Sequence, residues 1–90
     1  MDRSQLWQLV TADLVRARNL LPKDVANHPA IRQYEAFLDR NELELAFDML
    51  ESYAEKHPVT KDFWVALRDA AAKMKLGDAV ARYDQRSAAD

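Results

Sequence analysis

Apolar residues recur every three or four positions along this chain, most densely at residues 42–56. Wound at 100° per residue, Leu43, Leu45, Ala46, Phe47, Met49, Leu50, Tyr53 and Ala54 spread over roughly 200° of a helix circumference. Glu44, Asp48, Glu51 and Glu55 share one narrow seam in what remains. A helix so broadly apolar is expected in the middle of a bundle, and its single wet face is acidic.

The flanking segments read the same way. Leu6, Val10, Leu14, Ala17 and Leu21 form a first stripe, widened by Trp7 and Leu9, and predict a helix over about residues 5–21. Ser4 is its expected cap, and Pro22 ends it by removing an amide. Asn27-His28-Pro29 reads as a cap followed by proline in the first turn. It opens a second helix to about Arg40, with Ile31, Tyr34, Phe37 and Leu38 inward. Asn41 should close that helix and cap the third, with Glu44 completing a capping box, so the two meet at a tight αα corner. Pro58 disfavours helical geometry at His57 and stops the third helix.

Thr60 should cap a fourth helix, with Asp62 in its first turn and Phe63, Trp64, Leu67, Ala70, Ala71 and Met74 inward. Lys73, Lys75 and Gly77 mark its end. Asp78 is the expected cap of a short fifth turn carrying Val80 and Tyr83, before a frayed tail at about 86–90. Nothing alternates with period two for long. The expected fold is all-α: a single domain over 1–90, a bundle of four main helices with a short fifth. His28-Pro29 echoes in His57-Pro58, but the match stops after one helix, which favours reused helix-start chemistry over a true repeat.

Composition narrows the function classes. Ninety residues suit one domain that buries roughly 60–65% of its unfolded surface. The absence of cysteine removes disulfides, thiolate metal sites and thiol nucleophiles. A single glycine, Gly77, excludes phosphate-cradling loops. No stretch reaches the ~18 apolar residues of a membrane span, and Met-Asp-Arg-Ser-Gln opens no leader-like apolar run; a cytoplasmic location is expected. The net charge of −2 is unevenly spread. From Glu35 to Glu55 seven acids face one base, Arg40, for −6; twelve bases and eight acids elsewhere give +4. Such asymmetry points to a polar docking face or to a solvated helix face.

Candidate chemistry is sparse. Di-metal bundles use Glu-x-x-His pairs, yet His28 and His57 are preceded at −3 by Val25 and Ala54, so neither a metal nor a cofactor is expected. Ser4, Ser52 and Ser87 lie in no nucleophile motif, and both histidines precede prolines where a capping role suffices; an enzyme is not expected. Arg16, Arg18 and Lys23 cluster near one helix end, and Lys61, Arg68 and Lys75 share a side of the fourth. The acidic balance nevertheless argues against a phosphate-tracking surface. Asp13 lies at the centre of the first stripe in projection. Buried, it needs an arginine or a helix N-terminus; alternatively the helix rotates and leaves it at the rim. Trp7, Phe63 and Trp64 read as core, and the ~100° between Phe63 and Trp64 calls for neighbours on two sides.

The run Tyr34-x-x-Phe37-Leu38-x-x-Asn41-Glu42-Leu43-Glu44-Leu45-Ala46-x-x-Met49-Leu50, with Phe63-Trp64-x-x-Leu67 and Lys73-Met74-Lys75-Leu76 after it, resembles the small helical immunity proteins of the MafI type. The likeness spans about Asp24 to Leu76 and rests mostly on fold-forming residues. It implies a helical protein without chemistry of its own that covers a toxin. Immunity proteins commonly neutralise nucleases with basic active surfaces, which an acidic strip would associate with quickly. The expected function is therefore protein binding to a basic partner, by the resemblance a toxin domain, through Glu44, Asp48, Glu51 and Glu55, standing exposed and without strong intramolecular partners. The alternatives are a homodimer that completes its apolar arcs across two copies and, behind it, a nucleic-acid-binding regulator.

Overall fold

A computed structural model describes residues 3–75 of the chain. Four α-helices account for most of them: α1 (Arg3–Asn19), α2 (Pro29–Asp39), α3 (Leu43–Lys56) and α4 (Lys61–Lys73), with a 3-10 helix, Lys23–Asn27, between α1 and α2. There is no strand among the described residues. The fold is the expected all-α bundle of four helices. The short fifth helix, the frayed tail and the Gly77 stop lie outside the described residues.

The bundle is built from two pairs. The α2–α3 hairpin pairs neighbours in sequence; α1 and α4 pair from opposite ends of the described chain; α3 also packs on α1 and α4. Both pairs are antiparallel. His28 at the start of α2 lies against Tyr53 and His57 at the end of α3, and Asp13 and Arg16 of α1 meet Lys73 and Asp69 of α4 in reverse order. One core joins them: Val10, Leu14, Ala17, Ile31, Tyr34, Phe47, Leu50, Phe63, Leu67 and Ala70 are all shut off from solvent. Leu43, Phe47, Leu50 and Leu67 are buried as their places on the stripes require. Phe63 and Trp64 are both buried, meeting edge to face at 5.8 Å.

Helix ends show where local signals held and where they shifted. The helical backbone already runs through Arg3, so Ser4 lies inside α1 and does not cap it. At the other end α1 stops at Asn19: the Leu20 and Leu21 amides turn to Ala17 O and Arg18 O, tightening the chain ahead of Pro22. His28 is the cap of α2, its Nδ1 accepting from the Ala30 amide at 3.1 Å with Pro29 in the first turn. Thr60 caps α4 as expected, Oγ1 accepting from the Phe63 amide. Pro58 does not repeat the role of Pro29, because it sits in the extended link before Thr60.

The α2–α3 corner corrects the capping-box expectation. Asn41 has φ 60° and stands just past the end of α2. The Glu42 amide reaches back to Phe37 O (2.9 Å) and the Asn41 amide to Leu38 O (3.0 Å), the paired closure of a Schellman turn. Asparagine is one of the few residues besides glycine that tolerate this geometry. Glu42, with no side-chain cap bond, then precedes α3, which places Glu44 one position too early for a capping box. Lys75 takes the same left-handed backbone after α4, with φ 61° and its amide bonded to Ala72 O.

Candidate partner-docking surface

The acidic strip exists in part. Glu44, Asp48 and Glu55 are exposed on α3, whereas Glu51 is half-buried. Asp48, Glu51 and Glu55 each engage another group, which corrects the expectation of a row without intramolecular partners. Closely spaced acids on one helix repel, and recruiting a nearby group relieves that. The field survives at the level of helix pairs. In α2 and α3 six acids face two bases, for −4; in α1 and α4 six bases face three acids, for +3.

One end of the bundle adds a surface that periodicity did not indicate. Trp7, expected in the core, is 43% exposed. It stands between two hollows. The larger, about 330 Å³, is floored by Leu6, Trp7, Val10, Leu43 and Met74 and rimmed by Asn41, Glu44, Lys73 and Lys75. The second, about 320 Å³, is lined by Ser4, Trp7, Gln8, Thr11 and Asn41. The start of α1, the α2–α3 corner and the end of α4 thus converge on one groove, and Glu44 joins it to the acidic strip. The sequence held a signal for this: of the helical neighbours of Trp7, Val10 at +3 is apolar but Arg3, Ser4 and Thr11 are polar, which puts it at the border of the stripe. Leu9 and Leu45, also placed on apolar arcs, are exposed at 42% and 44%.

Asp13 sets the charge of that groove. It is 7% exposed, and Lys73 Nζ lies 2.6 Å from its Oδ2 while Arg16 stands 3.8 Å away. The buried alternative therefore holds, and the main partner is a lysine from α4 rather than an arginine. Arg16 also bonds Asp69 at 2.9 Å, so two acids and two bases bridge α1 and α4. Lys73, on the rim of the groove, thus has its charge paired with Asp13.

Two further polar clusters lie elsewhere. The Tyr34 hydroxyl is buried without a hydrogen-bond partner. Burial first, then the nearby Glu35 carboxylate, raise its pKa from 10.0 to about 12, with Arg18 pulling the other way. Arg18 Nε stands 3.6 Å from Glu35 across the α1–α2 boundary, beside an open hollow lined by Arg18, Asn19, Leu21, Lys23 and Glu35. At the opposite end of the hairpin from Asn41, His57 stacks on Tyr53 at 4.4 Å, and His28 meets both edge to face at about 5 Å. The two His-Pro pairs that echo in sequence thus bring their rings together in space.

No helix among the described residues is long and apolar enough to cross a membrane. Comparison of the chain with protein-family models, curated proteins and solved structures returns no match.

Proposed function

We propose that this protein is a non-catalytic binding module that docks a basic protein partner, in the manner of an immunity protein covering a toxin surface. The observation that carries the proposal is the exposed Trp7 beside a groove whose rim includes Glu44, the first acid of the α3 strip. Half-exposed tryptophans in apolar hollows with a charged border are typical interface anchors, since one ring supplies large contact area at little entropic cost. The −4 carried by the α2–α3 pair supplies the long-range attraction that speeds encounter with a basic surface.

The test is a salt series of association rates against a captured and identified partner. Asp48→Lys with Glu51→Lys should slow association by roughly tenfold at low salt, with the deficit shrinking as salt rises. Lys61→Glu on α4 should leave the rate near wild type or raise it. Reversals that bind like wild type would reduce the strip to a solvated face. Because Asp48 and Glu51 have partners of their own, a thermal melt of the double variant must accompany the rates.

A second reading, self-association, is favoured by the opposite charges of the two helix pairs, which complement one another between copies. Sedimentation at low and high salt separates the two. A mass that doubles at low salt supports the homodimer, and a constant monomer mass supports a foreign partner.

A further inference from the structure

We propose that the Trp7 groove receives an apolar side chain from an amphipathic basic helix of the partner, whose lysines or arginines run along α3 from Glu44. The inference rests on the basic-partner reading above and names the partner's element and register.

Three observations lead to it. The floor of the groove is apolar, and at about 330 Å³ it lies at the small end of ligand pockets, fit for a side chain rather than a cofactor. Its charge is asymmetric. Lys73 is committed to Asp13 at 2.6 Å, which leaves Glu44 on the hairpin side and Lys75 on the α4 side. An occupant therefore enters with an apolar residue flanked by a base toward α3.

The third observation is spacing. From Glu44 the acids follow at +4, +7 and +11, which at about 1.5 Å per residue is a row near 16 Å long. A helix lying along α3 with bases at the same 4-3-4 spacing pairs with Glu44 and keeps register along the row, where its bases compete with the groups that Asp48, Glu51 and Glu55 already engage. A strand, with same-face residues about 6.6 Å apart, is out of step by about 3 Å at the far end. Helix-in-groove docking with one apolar anchor and periodic charges is an established mode of recognition.

The probe is a synthetic 15-residue helical peptide carrying leucine one turn ahead of four lysines at 4-3-4 spacing. It is compared with a scrambled peptide of the same composition and with polylysine. Tryptophan emission and iodide quenching report on the groove, the Trp7 signal being assigned with Trp7→Phe. The expected result is a blue shift and protection of Trp7, with the patterned peptide binding at least about tenfold tighter than the scramble. Trp7→Ala should erase that preference. Met74→Glu, which leaves the tryptophan in place, should do the same, so the inference does not hang on one variant's folding.

If all three basic probes bind equally and Trp7 stays quenchable, the groove inference is overturned while the acidic docking face stands. If none binds, both fail. If Trp7 is already shielded from iodide in dilute protein without peptide, the chain fills its own groove and the inference is again overturned.

Discussion

The two helix pairs reach similar packing by different means. The α2–α3 hairpin is made of sequence neighbours, turned at Asn41, acidic in balance and closed at its far end by the His28–Tyr53–His57 ring cluster. The α1–α4 pair joins segments about 60 residues apart, is basic in balance, and is cross-linked by ion pairs around a buried carboxylate. Local chemistry specifies the first pair; the second depends on the first to hold its members in reach, through the contacts of α3. The candidate groove lies where the two pairs meet.

The sharpest way to break this contrast is to cut the shared core. Leu50→Ala in α3 and Leu67→Ala in α4 should each cost roughly 2–5 kcal/mol, since both side chains are fully buried. Urea melts followed by helical circular dichroism and by tryptophan emission should coincide for both variants. A melt in which the hairpin survives the loss of α4 would show the pairs to be independent.

Alkali should act on the hairpin through Tyr34. The fold favours its neutral form, so the stability present below pH 10 is lost as pH rises from 10 toward 12, by roughly 2–3 kcal/mol in all. Tyr34→Phe should abolish that alkaline slope. At pH 7 it should change stability by under about 1 kcal/mol, because the hydroxyl it removes has no hydrogen-bond partner.

The α1–α4 pair should respond to charge instead. Lys73→Met strands Asp13 with only the more distant Arg16 and should cost roughly 1–3 kcal/mol. Asp13→Leu combined with Lys73→Met should recover most of that loss. A double variant no better than the single would mean that the pair contributes stability of its own beyond satisfying a buried charge.

The smallest effect belongs to the corner. Asn41→Ala should lose about 1 kcal/mol, and Asn41→Gly should lose nothing or gain slightly, because only the alanine is strained at φ 60°. Equal losses from both would point to the asparagine side chain rather than the backbone.

These differences track what was legible in the sequence. Pro58, Thr60 and His28-Pro29 act on their own neighbours, so α2 and α3 and the start of α4 fall within a residue or two of their expected places. Asn41 closes α2 as its place predicts but does not also cap α3: asparagine is favoured both before a helix and after one, and only the backbone angle decides between them. Periodicity placed Val10, Leu14, Leu50 and Leu67 correctly but overextended its arcs to Trp7, Leu9 and Leu45. The angle around a helix says which way a side chain points, not whether a neighbour covers it. Lys73 as the partner of Asp13 was beyond reach, because nothing local connects residues 60 positions apart.

That separation also orders the birth of the molecule. On the ribosome, α2 and α3 can zip together as soon as residue 56 emerges, since their contacts span a short stretch of chain. α1 leaves the tunnel before the hairpin yet must wait for α4, so the apolar row of Val10, Leu14, Ala17 and Leu21 stays without its main cover until α4 emerges. The first of the four described helices is the last to be covered by its principal neighbour, and a holding chaperone would find its binding stripe there.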